Sequence, residues 1–97
     1  MNNNQVAFAL GLAQKAGKAQ SGDFAVRGAL KAGKVKLLVL ATDTAENTKK
    51  ELLYLAEQAK VEVKQYLTKA ELGYAIGKSQ RTAVAITDEN FAKMLKK

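Results

Sequence analysis

Hydrophobic positions along the chain change period several times, and each change marks an element. Between Gln5 and Lys15 the apolar residues Val6, Ala9, Leu10 and Ala13 recur at helical spacing, and Gly17 supplies a stop. Lys18 to Ser21 reads as a short extended link. Asp23 to Ala32 predicts a second helix that turns Val26, Ala29 and Leu30 inward and closes at Gly33. Asp23, Arg27 and Lys31 fall on its opposite face at four-residue intervals. Lys36 to Ala41 is then almost wholly aliphatic, which suits a strand covered on both faces.

The second half repeats the alternation. Asp43, three residues before Glu46, places acids at a helix start, where the positive end of the dipole favours them. That helix runs to about Lys60 and buries Leu52, Leu55, Ala56 and Ala59. Val61 to Leu67 alternates as a strand with Val61, Val63 and, at its far end, Leu67 on one face. Thr68 and Glu71 have the spacing of a capping box and open a short helix that Gly77 ends. Lys78 to Thr82 is a polar loop, Ala83 to Thr87 a third main strand, and Asp88 to Lys97 a final helix. Strands alternating with helices predict an α/β layered sandwich around a small, mostly parallel sheet.

Length keeps this to one domain spanning residues 1–97, because 97 residues hold a single core but not two. No proline or Ser/Gly-rich linker interrupts it. The longest apolar run, Leu37 to Ala41, is far short of a membrane span, and the N-terminal stretch lacks the basic region of a signal peptide. A cytoplasmic protein with no membrane partner is expected. Without cysteine there is no disulfide or thiolate metal site, and without histidine the commonest general base and metal ligand are missing. No metal or small-molecule cofactor is expected.

Charge narrows the partner. The net charge is +7, and it is unevenly spread. Residues 1–40 carry six cations and one anion, residues 41–62 three and five, and residues 63–97 seven and three. A basic molecule with one acidic segment favours a polyanion.

Three constellations could carry chemistry. Gly22 opens a helix whose free N–H groups attract phosphate, and Arg27, Lys31, Lys34 and Lys36 follow in the next 14 residues. Arg27 can grip a phosphate or a guanine edge with two parallel bonds. The plainer alternative is a solvated face on which Asp23 pairs with Arg27. The second constellation is Lys69 to Gly77 with the loop Lys78 to Arg81. Gly73 and Gly77 permit close backbone approach, Leu72, Tyr74 and Ile76 offer apolar surface, and Lys78, Gln80 and Arg81 offer polar grips. Here too the alternative is structural, with Leu72 and Ile76 facing the core. The third is a pair of carboxylates, Asp43 and Asp88, each just past the end of a strand, where ligands of open α/β sheets bind. Both also sit where helix caps belong. No phosphate loop, nucleophile elbow or zinc-protease motif is present.

Taken in order, SGDFAVRGALKAGKVKLLVLATD, NTKKELLYLAEQAKVEVKQY, TKAELGYAIG and VAI resemble the kink-turn RNA-binding ribosomal proteins, the L-seven-Ae family, over nearly the whole chain. The N-terminal LGLAQKAGKAQSG looks most like the small bacterial branch known as YlxQ. The resemblance implies a three-layer α-β-α sandwich with a small mixed, mostly parallel sheet. It also implies that the helix after Gly22 docks into RNA beside the loop from Leu72-Gly73 to Arg81. In the well-known members that helix opens Gly-Thr-Asn-Glu, with a lysine three residues after the glutamate. This chain has Gly22, Asp23, Phe24 and Ala25 there, and Gly28 in place of the lysine. Phe24 and Ala25 cannot hydrogen-bond purine edges as Asn and Glu do, whereas Phe24 can stack on a base.

The sequence therefore points to a non-enzymatic, monomeric binder of structured RNA, ribosomal RNA included, that reads shape and backbone. Gly22, Asp23 and Phe24 open its binding helix, and Arg27, Lys31, Lys34 and Lys36 contact phosphates. Lys69, Leu72, Gly73, Lys78 and Arg81 form the second edge. Two rivals are a protein-interaction module that meets its partner through the Phe24 surface, and a small carboxylate enzyme working at Asp43 and Asp88.

Overall fold

The computed structural model describes residues 1–97. Five helices and four strands follow in the order α1 (Asn3–Lys15), β1 (Ala19–Ser21), α2 (Asp23–Lys31), β2 (Leu37–Leu40), α3 (Glu46–Gln58), β3 (Val63–Gln65), α4 (Lys69–Ala75), β4 (Ala83–Ile86) and α5 (Glu89–Lys96). The strands form one sheet ordered β1-β4-β2-β3. Both central strands, LLVL and AVAI, are buried along their whole length, as continuous aliphatic runs require.

Alternation along these strands divides the core into two layers. Leu37 and Val39 on β2, with Val84 and Ile86 on β4, meet α1, α4 and α5 through Val6, Leu10, Leu72 and Leu95. Leu38 and Leu40, with Ala83 and Ala85, meet α2 and α3 through Val26, Leu30, Leu52 and Ala56. The α-β-α sandwich is therefore present, with three helices on one face of the sheet and two on the other.

Sheet direction differs from expectation. β2 and β3 are parallel, but β4 is antiparallel to both β2 and β1, so two of the three pairings are antiparallel. The sheet is mixed, not mostly parallel. Hydrophobic period reports that a strand is covered, not which way it runs. The extended link at Lys18 to Ser21 also proves to be a pairing strand, with Ala19 opposite Ile86 and Ser21 opposite Val84. Leu67 departs as well. β3 ends at Gln65, and Leu67 packs with the α1 layer while Val61 and Val63 pack with the α2 layer.

Helix ends follow local chemistry. Asn2 and Thr68 each make a capping box, with Gln5 and Glu71 respectively, and Asp88 caps α5 through the Phe91 N–H. α4 closes in a Schellman motif: Lys78 N–H donates to Gly73 O and Gly77 N–H to Tyr74 O. The same geometry ends α3, with Lys60 rather than glycine at φ 60°.

Candidate nucleic-acid interface

α2 begins without a side-chain cap. Its N-cap, Gly22, has φ 89° and ψ 143°, a conformation open to glycine and strained for other residues, and it carries no side chain to occupy the first N–H groups. Those donors, and the positive end of the helix dipole, face the surface. Phe24, in the first turn, is 92% exposed. An aromatic ring held out in this way beside free N–H groups suits stacking next to a bound phosphate.

The loop that ends at Arg81 lies against this helix start, the placement that the family resemblance implies. β1 and β4 are antiparallel, so the end of β1 that leads into Gly22 adjoins the start of β4 and the loop before it. Arg81 closes the gap: its Nε donates to Ser21 Oγ at 3.3 Å, and Nη1 donates to Ser79 Oγ at 3.0 Å and Gln80 O at 2.9 Å. Gly22, Asp23, Gln80 and Arg81 line a cleft of about 220 Å³ there. Arg81 thus holds the loop together from within as well as lining the cleft. Lys69 joins the same end, since Arg81 N–H donates to its carbonyl.

Arg27 is more committed than the sequence suggests. Its Nε lies 2.8 Å from Asp23 Oδ1 on its own helix, and its Nη1 lies 3.0 Å from Glu51 Oε2 on α3. The hydrogen bonds it donates, first to Asp23 and then to Glu51, raise its pKa above the ordinary arginine value. The local Asp23 partner is visible in the four-residue spacing. Glu51 is not, because it is 24 residues away and reaches Arg27 only when α2 and α3 lie side by side.

Two expected contacts, Lys36 and Leu72, need relocation. Lys34 and Lys36 follow the far end of α2, where the chain folds back so that Lys34 N–H donates to Ala29 O at 3.1 Å. Lys36 N–H donates to Ile86 O at the end of β4 remote from the cleft. Both side chains are exposed; Lys34 lines a shallow groove with Phe24 and Ala25, whereas Lys36 does not reach it. Leu72 is fully buried in the α1 layer and offers no surface, because its place on the short α4 helix points it at the sheet. Gly73, by contrast, serves close approach: a Cβ there would lie 1.9 Å from Ser79 O. Lys31 and Lys78 are exposed, Lys31 beside Lys50 and Tyr54 in a shallow groove between α2 and α3.

The two strand-end carboxylates are both engaged at helix starts. Asp88 accepts from Phe91 N–H at the start of α5. Asp43 does not cap α3, whose N-cap is Ala45. Its Oδ1 instead accepts from Lys69 N–H at 2.8 Å, pinning the start of α4 beside the cleft.

Known proteins share this whole framework. The model of the ribosomal protein L7Ae/L30e/S12e/Gadd45 family matches residues 4–96. A protein of Bacillus subtilis (strain 168) named RNA-binding protein YlxQ is 38% identical over 86 residues, covering 89% of this chain and 86% of that one. The protein of the same name from Enterococcus faecium is 32% identical over 95 residues, covering 98% and 91%. A solved structure of a protein with unknown function from Bacillus halodurans superposes with a TM-score of 0.89 at 33% identity, over 95% of this chain and 93% of that one. With its two-layered core, mixed sheet and glycine-led α2, the chain belongs to the ribosomal protein L7Ae/L30e/S12e/Gadd45 family.

Proposed function

We propose that this chain is a non-catalytic, monomeric cytoplasmic protein that binds structured RNA at the end of the sheet where α2 begins. The observation that carries the reading is the uncapped Gly22 start, with Phe24 standing free in its first turn and the loop that Arg81 organises sharing a cleft with Gly22 and Asp23. The net charge of +7 and the names of the two YlxQ relatives support it.

The chemistry favours recognition of shape over sequence. Phosphates meet the α2 N–H groups, Lys69 and Lys78 at this corner and Lys31 farther along α2, while Phe24 stacks on an exposed base. Phe24 and Ala25 present no donor or acceptor to a base edge, so the specificity resides in RNA bent to bring a backbone and an open base to the same corner. A kink-turn, as found in ribosomal RNA, has that shape. Asp43 and Asp88 hold helix starts, which supports a binding role over a carboxylate enzyme.

The test is a titration with a kink-turn RNA and a matched straight duplex at 50 and 200 mM salt. The bent RNA should bind more tightly, and about four phosphate contacts should weaken binding on the order of a hundredfold across that range. Equal affinity for both RNAs would reduce the reading to charge-driven binding, and salt-independent binding would overturn it.

A further inference from the structure

A second exposed surface lies on the other side of the sheet, where α1 and α5 pack together. Met1, Phe8, Leu12 and Met94 are four of the eight large hydrophobic residues left exposed, and they line one groove of about 660 Å³. Phe8 is 70% exposed. Gln5, Phe8, Leu12 and Lys15 repeat at helical spacing along α1, so the groove follows the helix axis. Met94 on α5 and Lys97 just after it form the opposite wall. Nothing in the fold covers this stripe.

The one charged side chain that lines it is a cation, Lys97. α1 contains no acidic residue, and Lys15 continues its apolar stripe. On α5, Lys93 and Lys97 flank Met94, while the acids Asp88 and Glu89 lie at the other end of the helix and do not line the groove. A second copy of the chain would bring like charges together, which opposes self-association through this face. RNA would find a cation and the amides Asn2, Asn4 and Gln5 at the α1 start, but the rest of the groove, Phe8, Ala9, Leu12 and Met94, offers it one aromatic ring and no donor. The flexible Met94 and the Phe8 and Leu12 side chains fit aliphatic side chains better.

We propose that the α1–α5 groove docks an amphipathic helix of another protein, with leucine-like residues against Phe8, Leu12 and Met94 and acidic residues towards Lys15, Lys93 and Lys97. This is helix-in-groove recognition with charge selecting the partner. The groove and α2 lie on opposite faces of the sheet, so both sites can be filled together.

The test uses two synthetic 18-residue amphipathic peptides with the same leucine face, one with a glutamate and one with a lysine polar face. The glutamate peptide should bind by fluorescence anisotropy and shift the NMR signals of the Met94 methyl and Phe8 ring. Phe8→Gln with Met94→Gln should weaken it at least tenfold, with circular dichroism and RNA affinity unchanged, and Lys15→Glu with Lys97→Glu should weaken it likewise, with circular dichroism unchanged. Equal binding of the lysine peptide, or no shift at Met94 and Phe8, would overturn the proposal. So would the same shifts caused by a straight RNA duplex, or self-association through this face in sedimentation. Loss of RNA binding by Phe24→Ala bears on the other site alone.

Discussion

A β-carbon on Gly73 would stand 1.9 Å from the carbonyl oxygen of Ser79, and 2.6 Å from the carbon that bears it. α4 and the loop before β4 meet only because residue 73 has no side chain. The obstacle is backbone, so rotation of a side chain cannot relieve it. Gly73→Ala should force Ser79 and Gln80 outward, costing about 1–3 kcal/mol by overpacking, offset in part by the better helix propensity of alanine. Thermal unfolding should show a midpoint roughly 5–15 °C lower. RNA affinity should fall as well, because displaced Ser79 and Gln80 no longer hold Arg81 against Ser21.

The double ion pair of Arg27 has an opposite consequence for binding and stability. Asp23 and Glu51 share the single charge of the Arg27 guanidinium between two carboxylates. Glu51→Gln removes one anion and loosens the guanidinium. Because both carboxylates are well exposed, the loss of stability should be no more than about 0.5 kcal/mol. Affinity for structured RNA at 50 mM salt should rise about two- to fivefold, with a steeper salt dependence. Weaker binding in a filter assay would instead show that Glu51 holds Arg27 in its working position.

Between pH 6 and 9 both stability and RNA affinity should stay nearly level. The chain has no histidine or cysteine to change charge in that window. The sign for Arg27 agrees. Its folded pKa is raised, so the stabilisation from its ion pairs is fully present below the ordinary arginine value and is lost only on going above it. Thermal melts and RNA titrations at pH 6, 7.5 and 9, at constant ionic strength, check this.

What the sequence reveals follows the range of the interactions. Helices α1, α2 and α4 lie within about two residues of the periodic pattern, because caps and apolar stripes are local. The two central strands are equally plain. β1 is not, since Ala19–Ser21 is three residues without an apolar pattern and acquires its pairing from β4. The direction of β4 and the Arg27–Glu51 tie likewise depend on neighbours far along the chain. Asp43 shows the same limit, capping α4 across 26 residues where local spacing suggests α3. Lys36 looks close to Gly22 in sequence, but α2 and the turn after it carry it to Ile86, at the end of β4 remote from the cleft. Gly22 and Phe24 were legible because what matters there, a glycine conformation and an outward position in the first turn, is set by the helix itself.

Phe24 gives the most direct measure of the RNA surface, because it contributes almost nothing to the fold. Its side chain is 92% exposed and belongs to neither core layer. Phe24→Ala should therefore leave the unfolding midpoint unchanged or slightly higher, given the better helix propensity of alanine. If the ring stacks on a base, affinity should fall by about 1–3 kcal/mol, roughly five- to 150-fold. The salt dependence should keep its slope, since stacking releases no counterions. Phe24→Trp should restore most of the loss and Phe24→Leu little of it, because leucine fills similar space without a π face. An unchanged affinity in Phe24→Ala would move the base contact elsewhere and leave the α2 start with phosphate binding alone.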